Sequence, residues 1–133
     1  MKKTYHGSCH CGAVSYEADL DLQGGTFKCN CSICKKKRNW LAVATPADFR
    51  LISGEDSIRE YQFGRRVLHH LFCQNCGISS FNWGENPARG KFYAISISCL
   101  DDATDEELAA LPVGYFDGRD DRFDRAPEET RYL

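Results

Sequence analysis

Between residues 12 and 19 the chain reads Gly-Ala-Val-Ser-Tyr-Glu-Ala-Asp, which puts Val14, Tyr16 and Ala18 on one side of an extended segment and Ser15, Glu17 and Asp19 on the other. That period of two predicts a half-buried strand. Gln23, Gly24 and Gly25 mark a turn after it. Residues 40–45 then form a short apolar run, and Pro46 can open a single helical turn from Thr45. Three more strands are expected at 49–53, 57–63 and 67–72, set apart by Gly54-Glu55-Asp56 and Gly64-Arg65-Arg66 at hairpin spacing. Residues 92–98 alternate again, with Phe92, Ala94 and Ser96 opposed to Tyr93, Ile95 and Ile97. Thr104 and Glu107 fit a capping box, and Leu108 and Leu111 recur at helical spacing before Pro112 stops the segment. Five to seven short strands with one or two small helices predict a mainly β fold, with residues 1–133 as one domain.

Charge adds a division to this pattern. Residues 1–100 hold 13 Lys and Arg against 8 Asp and Glu, whereas residues 101–133 hold 4 against 11. The stretch 117–131 carries ten charges with few apolar anchors, Phe123 among them, and is expected to be a surface arm or partly disordered. The compact basic run is Lys35, Lys36, Lys37 and Arg38, too little for a general polyanion binder, so nucleic acid is not the expected partner. No run of 18 apolar residues suggests a membrane span, and Lys2 and Lys3 are followed at once by polar residues. A cytoplasmic, reducing setting is expected.

Eight cysteines change the picture most. Cys9 and Cys11 are separated by one residue, Cys73 and Cys76 by two, and Cys29, Cys31 and Cys34 form a triplet, leaving Cys99 alone. Close thiolate pairs can point two sulfurs at one zinc ion, and two pairs complete a tetrahedron. Cys9, Cys11, Cys73 and Cys76 are therefore expected to form a structural tetrathiolate that staples the N-terminal segment to the end of a central strand. The triplet supplies three ligands and leaves a fourth position, either open to water or substrate or closed by Cys99, His69 or His70. Three thiolates around one zinc weaken its Lewis acidity and favour an exchangeable sulfur ligand over hydrolysis. Disulfides within such short spacings would be strained small rings, and a redox dithiol at Cys73 and Cys76 lacks a preceding helix N-terminus. His10 has the opposite strand parity to its flanking cysteines and is expected to point outward. Only one of His69 and His70 can face inward on its strand. Trp40, Phe72, Phe81, Trp83 and Tyr93 can line an apolar wall beside the sites or serve as core.

The segments Gly7-Ser-Cys-His-Cys-Gly-Ala-Val-Ser-Tyr16, Cys29-Asn-Cys-Ser-Ile-Cys34 and Phe72-Cys-Gln-Asn-Cys-Gly77 occur in that order. They resemble the glutathione-dependent formaldehyde-activating enzyme family, which includes centromere-protein-V-like proteins, over roughly residues 4 to 100. The resemblance implies a zinc-stapled β-sheet domain of the Mss4-like type. It also implies a structural zinc at Cys9, Cys11, Cys73 and Cys76, and an activity-linked zinc at Cys29, Cys31 and Cys34. Asn30 stands where the family more often has His, and Ile78 where it often has Thr; neither change removes a ligand.

Glutathione, or another small thiol, and a small aldehyde are the partners this implies, with S-hydroxymethylglutathione formed or cleaved by a carbon–sulfur lyase reaction. Lys35 and Lys36, with Lys37 and Arg38, can meet the two carboxylates of glutathione. Asn30 can donate an amide hydrogen bond to a thiolate or substrate oxygen. The rival expectation is a non-catalytic module in which both ions only hold the fold and the basic run binds protein or nucleic acid.

Overall fold

The computed structural model describes all 133 residues. Its ten strands are β1 (Lys3–Ser8), β2 (Ser15–Leu20), β3 (Thr26–Cys29), β4 (Leu41–Ala44), β5 (Phe49–Ser53), β6 (Ile58–Tyr61), β7 (Leu68–Cys73), β8 (Phe81–Asn86), β9 (Gly90–Ser96) and β10 (Val113–Phe116). Two helices, α1 (Ser32–Lys37) and α2 (Asp105–Ala109), complete the regular elements with a few single 3₁₀ turns. The chain is thus mainly β, with more strands than the hydrophobic pattern predicts. β1, β3, β8 and β10 are the additions, and α1 fills the triplet segment.

The strands form two sheets, one ordered β1-β2-β5 and the other β10-β3-β4-β9-β8-β7-β6. Tyr16, Ala18 and Leu20 are buried on β2, as the alternation requires. They pack against Ala42, Ala44, Leu71, Phe81, Ile95 and Ile97 of the larger sheet. Aromatic rings knit the layers together: Phe49 stacks on Tyr93 at 4.1 Å, and Tyr16 meets Phe81 edge-on at 5.3 Å. The buried Tyr16 hydroxyl donates to the Ser80 carbonyl at 2.9 Å, which satisfies the one polar atom that ring brings inside.

Directly paired residues share a face, so the registers define the other side of the large sheet. Phe27 pairs with Leu41, Val43 with Ala94, Ala94 with Asn82, and Phe92 with Gly84. Gly84 pairs with Leu68, and along β7 the same face continues through His70 to Phe72. This outer face has no second sheet over it. Gly84 keeps it close-packed, because a Cβ there would lie 2.6 Å from the Leu68 side chain and 2.9 Å from the Phe92 ring.

α2 starts as its sequence predicts, with the Thr104 hydroxyl accepting from the Glu107 amide at 3.1 Å. The Glu107 carboxylate does not return the bond; it takes the Tyr5 hydroxyl of β1 instead. The acidic stretch 117–131 is a largely exposed surface arm, one of the two expectations for it. β10 pairs in parallel with β3, and the following residues fold back over the triplet loop rather than trailing away. The Asp117 amide donates to the Arg125 carbonyl at 3.0 Å, Lys28 Nζ donates to the Leu133 carbonyl at 3.2 Å, and both Asp117 and Leu133 are buried.

Candidate metal centres

Cys9 and Cys11 lie in the turn from β1 to β2. Gly12, at φ 82°, lets its amide donate to the Cys9 carbonyl at 3.2 Å, a positive φ that glycine adopts without strain. Cys73 ends β7, and Gly77, at φ 77°, closes the Cys-Gln-Asn-Cys turn with an amide donated to the Cys73 carbonyl at 2.8 Å. The two turns bring four sulfurs within 4.8 Å of one another. Cys11 Sγ lies 3.7 Å from both Cys9 Sγ and Cys73 Sγ. A tetrahedron with metal–sulfur bonds of about 2.3 Å has edges of roughly 3.8 Å, so the donor set fits a four-coordinate ion. Backbone amides already favour thiolates here. The amides of Cys11 and Ile78 bring Cys76 down to about 6, and the Cys76 amide draws Cys73 below the usual thiol range. His10 is exposed and outside this group.

The triplet is built differently. Cys29 ends β3, Cys31 is the N-cap of α1, and Cys34 stands in its first turn. The strand end and the helix start converge all three sulfurs within 4.8 Å. Hydrogen bonds from Cys29 and Cys34 hold Cys31 well below the usual thiol range, helped by the Cys34 and Ile33 amides at the start of the helix, while Cys34 is pushed up by Cys29 and Cys31. One sulfur of the three thus carries charge readily. Asn39 Nδ2 donates to Cys34 Sγ at 3.4 Å and fixes its orientation.

No fourth His, Cys, Asp or Glu donor joins this group. Cys99, His69 and His70 do not stand within 4.8 Å of all three sulfurs. His69 is turned to the inner side of its strand, stacked on Trp83 at 3.6 Å and bonded to Glu60. Cys99 sits in the turn after β9 and stands in neither group.

The neighbouring side chains that the sequence singles out are placed as follows. Asn30 is buried, and its amide is not turned to a sulfur: Nδ2 donates to Asp117 Oδ1 at 2.9 Å and Oδ1 accepts from the Arg119 amide at 2.9 Å. Lys35 reaches the Tyr132 ring at 5.5 Å, and Lys36 is exposed. Lys37 alone turns back across the sheet, donating to Ser79 Oγ at 2.8 Å. Within the basic run, Lys35 and Lys37 thus point to different partners. Phe81 is core, Trp40 donates its indole N–H to Thr26 Oγ1 at 2.8 Å, and Phe72 is exposed on the outer face.

Two residues that the sequence left unremarked shape the triplet. Gly118 is pressed so close that a Cβ would lie 2.4 Å from Cys29 Sγ. Asp117 receives Asn30 on one side and the Arg125 guanidinium at 3.1 Å on the other, and the Asn30 amide, then Arg125, hold its carboxyl below the usual range. A cavity of about 530 Å³ lies alongside, lined by Asn30, Asp117, Arg119, Arg125, Glu128 and Tyr132 among others. None of the three cysteines lines it.

A solved crystal structure of a Rhodobacter sphaeroides protein has the same fold, with a TM-score of 0.69 and 30% identity, covering 82% of this chain and 99% of that one. The family model described as glutathione-dependent formaldehyde-activating enzyme matches residues 4–121, a span that takes in both sulfur clusters and the first turn of the arm folded over the triplet. With that match, the chain belongs to the glutathione-dependent formaldehyde-activating enzyme family.

Proposed function

We propose that this protein is a zinc-dependent carbon–sulfur lyase that joins glutathione to formaldehyde as S-hydroxymethylglutathione and cleaves the same adduct in reverse. In this reading Cys9, Cys11, Cys73 and Cys76 hold a structural zinc, and Cys29, Cys31 and Cys34 hold the zinc of the reaction. The observation that carries it is the contrast between the two clusters: four sulfurs complete one donor set, whereas three sulfurs leave the other a ligand short. Bound to the triplet, zinc supplies positive charge that favours the thiolate form of an incoming sulfur.

The chain's own residues then have separate tasks. β3 and the start of α1 hold the three sulfurs, Asn39 orients Cys34, and the Asn30–Asp117 pair keeps the arm against Cys29. Family membership supports glutathione and formaldehyde as the reactants. A cytoplasmic setting accords with eight cysteines that form no disulfide, and no helix is long and apolar enough to cross a membrane.

The test is the rate of free-formaldehyde loss and adduct formation over the spontaneous reaction, with zinc-loaded protein and Cys31→Ser beside it. Excess rate in the parent and none in the variant is expected. An absence of excess rate in the zinc-loaded parent sinks the proposal.

A further inference from the structure

His70 Nδ1 is enclosed without a hydrogen-bond partner, in a residue only 8% exposed. An unsatisfied buried nitrogen costs about 1–3 kcal/mol, and such a group points to a partner that is not part of the chain. Its surroundings identify the site it serves. His70 lies on the outer face of the large sheet, on the strand position next to the His69–Trp83 pair and therefore opposite Asn82. Asn82 Oδ1 accepts from the Leu71 amide at 2.9 Å and from Ser79 Oγ at 3.2 Å, and Ser79 Oγ in turn accepts from Lys37 Nζ. Lys37 is three residues beyond Cys34 on α1, so both lie on one side of that helix. The Lys37–Ser79–Asn82 chain thus links the side of α1 that carries Cys34 to the strand position opposite His70. Phe63 stacks on the imidazole at 5.4 Å and Tyr61 approaches at 6.5 Å. The charges of Lys37 and Cys31 both act on the ring, and burial, then Lys37, hold it below the usual histidine range. A neutral imidazole has one donor and one acceptor nitrogen to offer.

We propose that His70 is a catalytic residue of the triplet site, where a ring nitrogen meets the oxygen of the bound carbonyl compound. The assignment rests on the thiol-plus-aldehyde reaction proposed above. As the glutathione sulfur bonds to the carbonyl carbon, the π pair moves onto oxygen. The thiol proton leaves to His70 and returns to that oxygen as the hydroxyl of the adduct. Cleavage runs the same steps backward: the hydroxyl proton goes to His70, the C–S bond breaks, and the proton returns to sulfur. No oxidant, reductant or further reactant is consumed.

The experiment uses the full zinc-loaded chain with His70→Phe, which keeps the stack on Phe63 but has no nitrogen, and His70→Gln as the variant that retains hydrogen bonding. A fall of about 100-fold or more in kcat is expected for His70→Phe. The KM for glutathione should stay within about threefold and the zinc content should not change. His70→Gln should lie between that variant and the parent, and it decides the matter if His70→Phe does not fold. In the parent, the His70 ring-nitrogen NMR resonances should move on addition of glutathione and formaldehyde. A kcat within about threefold of the parent in both variants overturns the assignment, as do ring resonances that stay fixed during turnover. If the parent shows no excess rate, the proposed reaction fails, and the ring resonances alone then decide whether His70 meets a small molecule. Fixed resonances with glutathione and with formaldehyde overturn that too, and moved resonances uphold it.

Discussion

Replacing Gly118 by alanine places a methyl group 2.4 Å from Cys29 Sγ and 3.1 Å from Cys31 Cβ, where non-bonded atoms settle at about 3.5–4.0 Å. Roughly an ångström of movement must come from one side. Cys29 cannot supply it readily, because β3 is paired with β10 on one edge and β4 on the other. The arm therefore yields, and lifting residues 117–119 breaks both Asn30 side-chain bonds, to Asp117 and from the Arg119 amide. Two bonds at about 1 kcal/mol each, with the buried Asn30 amide left short of partners, give a loss of about 2–3 kcal/mol, inside the range of about 1–3 kcal/mol usual for overpacking. For a chain of this length that lowers Tm by about 6–12 °C. Thermal melts followed by circular dichroism on the zinc-loaded protein measure it. Gly24→Ala is the control, since its new Cβ meets only the Asp21 side chain, at 3.3 Å, on an exposed turn. Trypsin gives an independent readout, because a lifted arm exposes the bonds after Arg119, Arg122 and Arg125. A Gly118→Ala protein that melts with the control and resists trypsin like the parent would refute the claim that the arm is packed on the triplet.

Two further expectations separate the metal centres from the surface electrostatics. Cys73→Ser should lose one metal and the folded circular dichroism spectrum with it, whereas Cys31→Ser should lose one metal and keep the spectrum; an ion held by the four sulfurs would tie the turn after β1 to the end of β7, so its binding energy would be folding energy. An unchanged spectrum after verified removal of both metals contradicts this. His6 is raised above its usual 6.5, first by its hydrogen bond to Asp102 and further by Glu17. A raised folded value means that its contribution to stability is complete below pH 6.5 and is lost as pH rises through that folded value. His6→Ala should therefore lower Tm at about pH 5.5 and leave it unchanged at about pH 9, by a small amount in keeping with an exposed ion pair; equal Tm differences at both pH values exclude the linkage.

Much of the scaffold was legible in the chain. The alternation of Val14, Tyr16 and Ala18 led to β2, the runs at 49–53 and 67–72 to β5 and β7, and Thr104 to the start of α2. β1 and β8 were hidden for physical reasons. Gly7 on β1 reads as a turn residue but is buried because the Tyr16 ring occupies the space where its Cβ would stand. On β8, Asn82 looks like a surface residue, yet it is buried and accepts a backbone amide from β7 and a hydroxyl from Ser79.

The sequence by itself determined the mainly β class and the division of seven cysteines into a set of four and a set of three, because alternation and ligand spacing are local properties of the chain. Tertiary structure alone decided what surrounds those sulfurs. Asp117 and Gly118 lie 87 and 89 residues from the groups they meet, Asn30 and Cys29. Lys37 and Asn82, 45 residues apart, are linked through Ser79. Such pairings depend on β10 adding in parallel to β3 and on the Lys37 side chain reaching Ser79. No short-range pattern encodes them, because the stabilisation comes from burial and hydrogen bonds that exist only once the sheet has assembled.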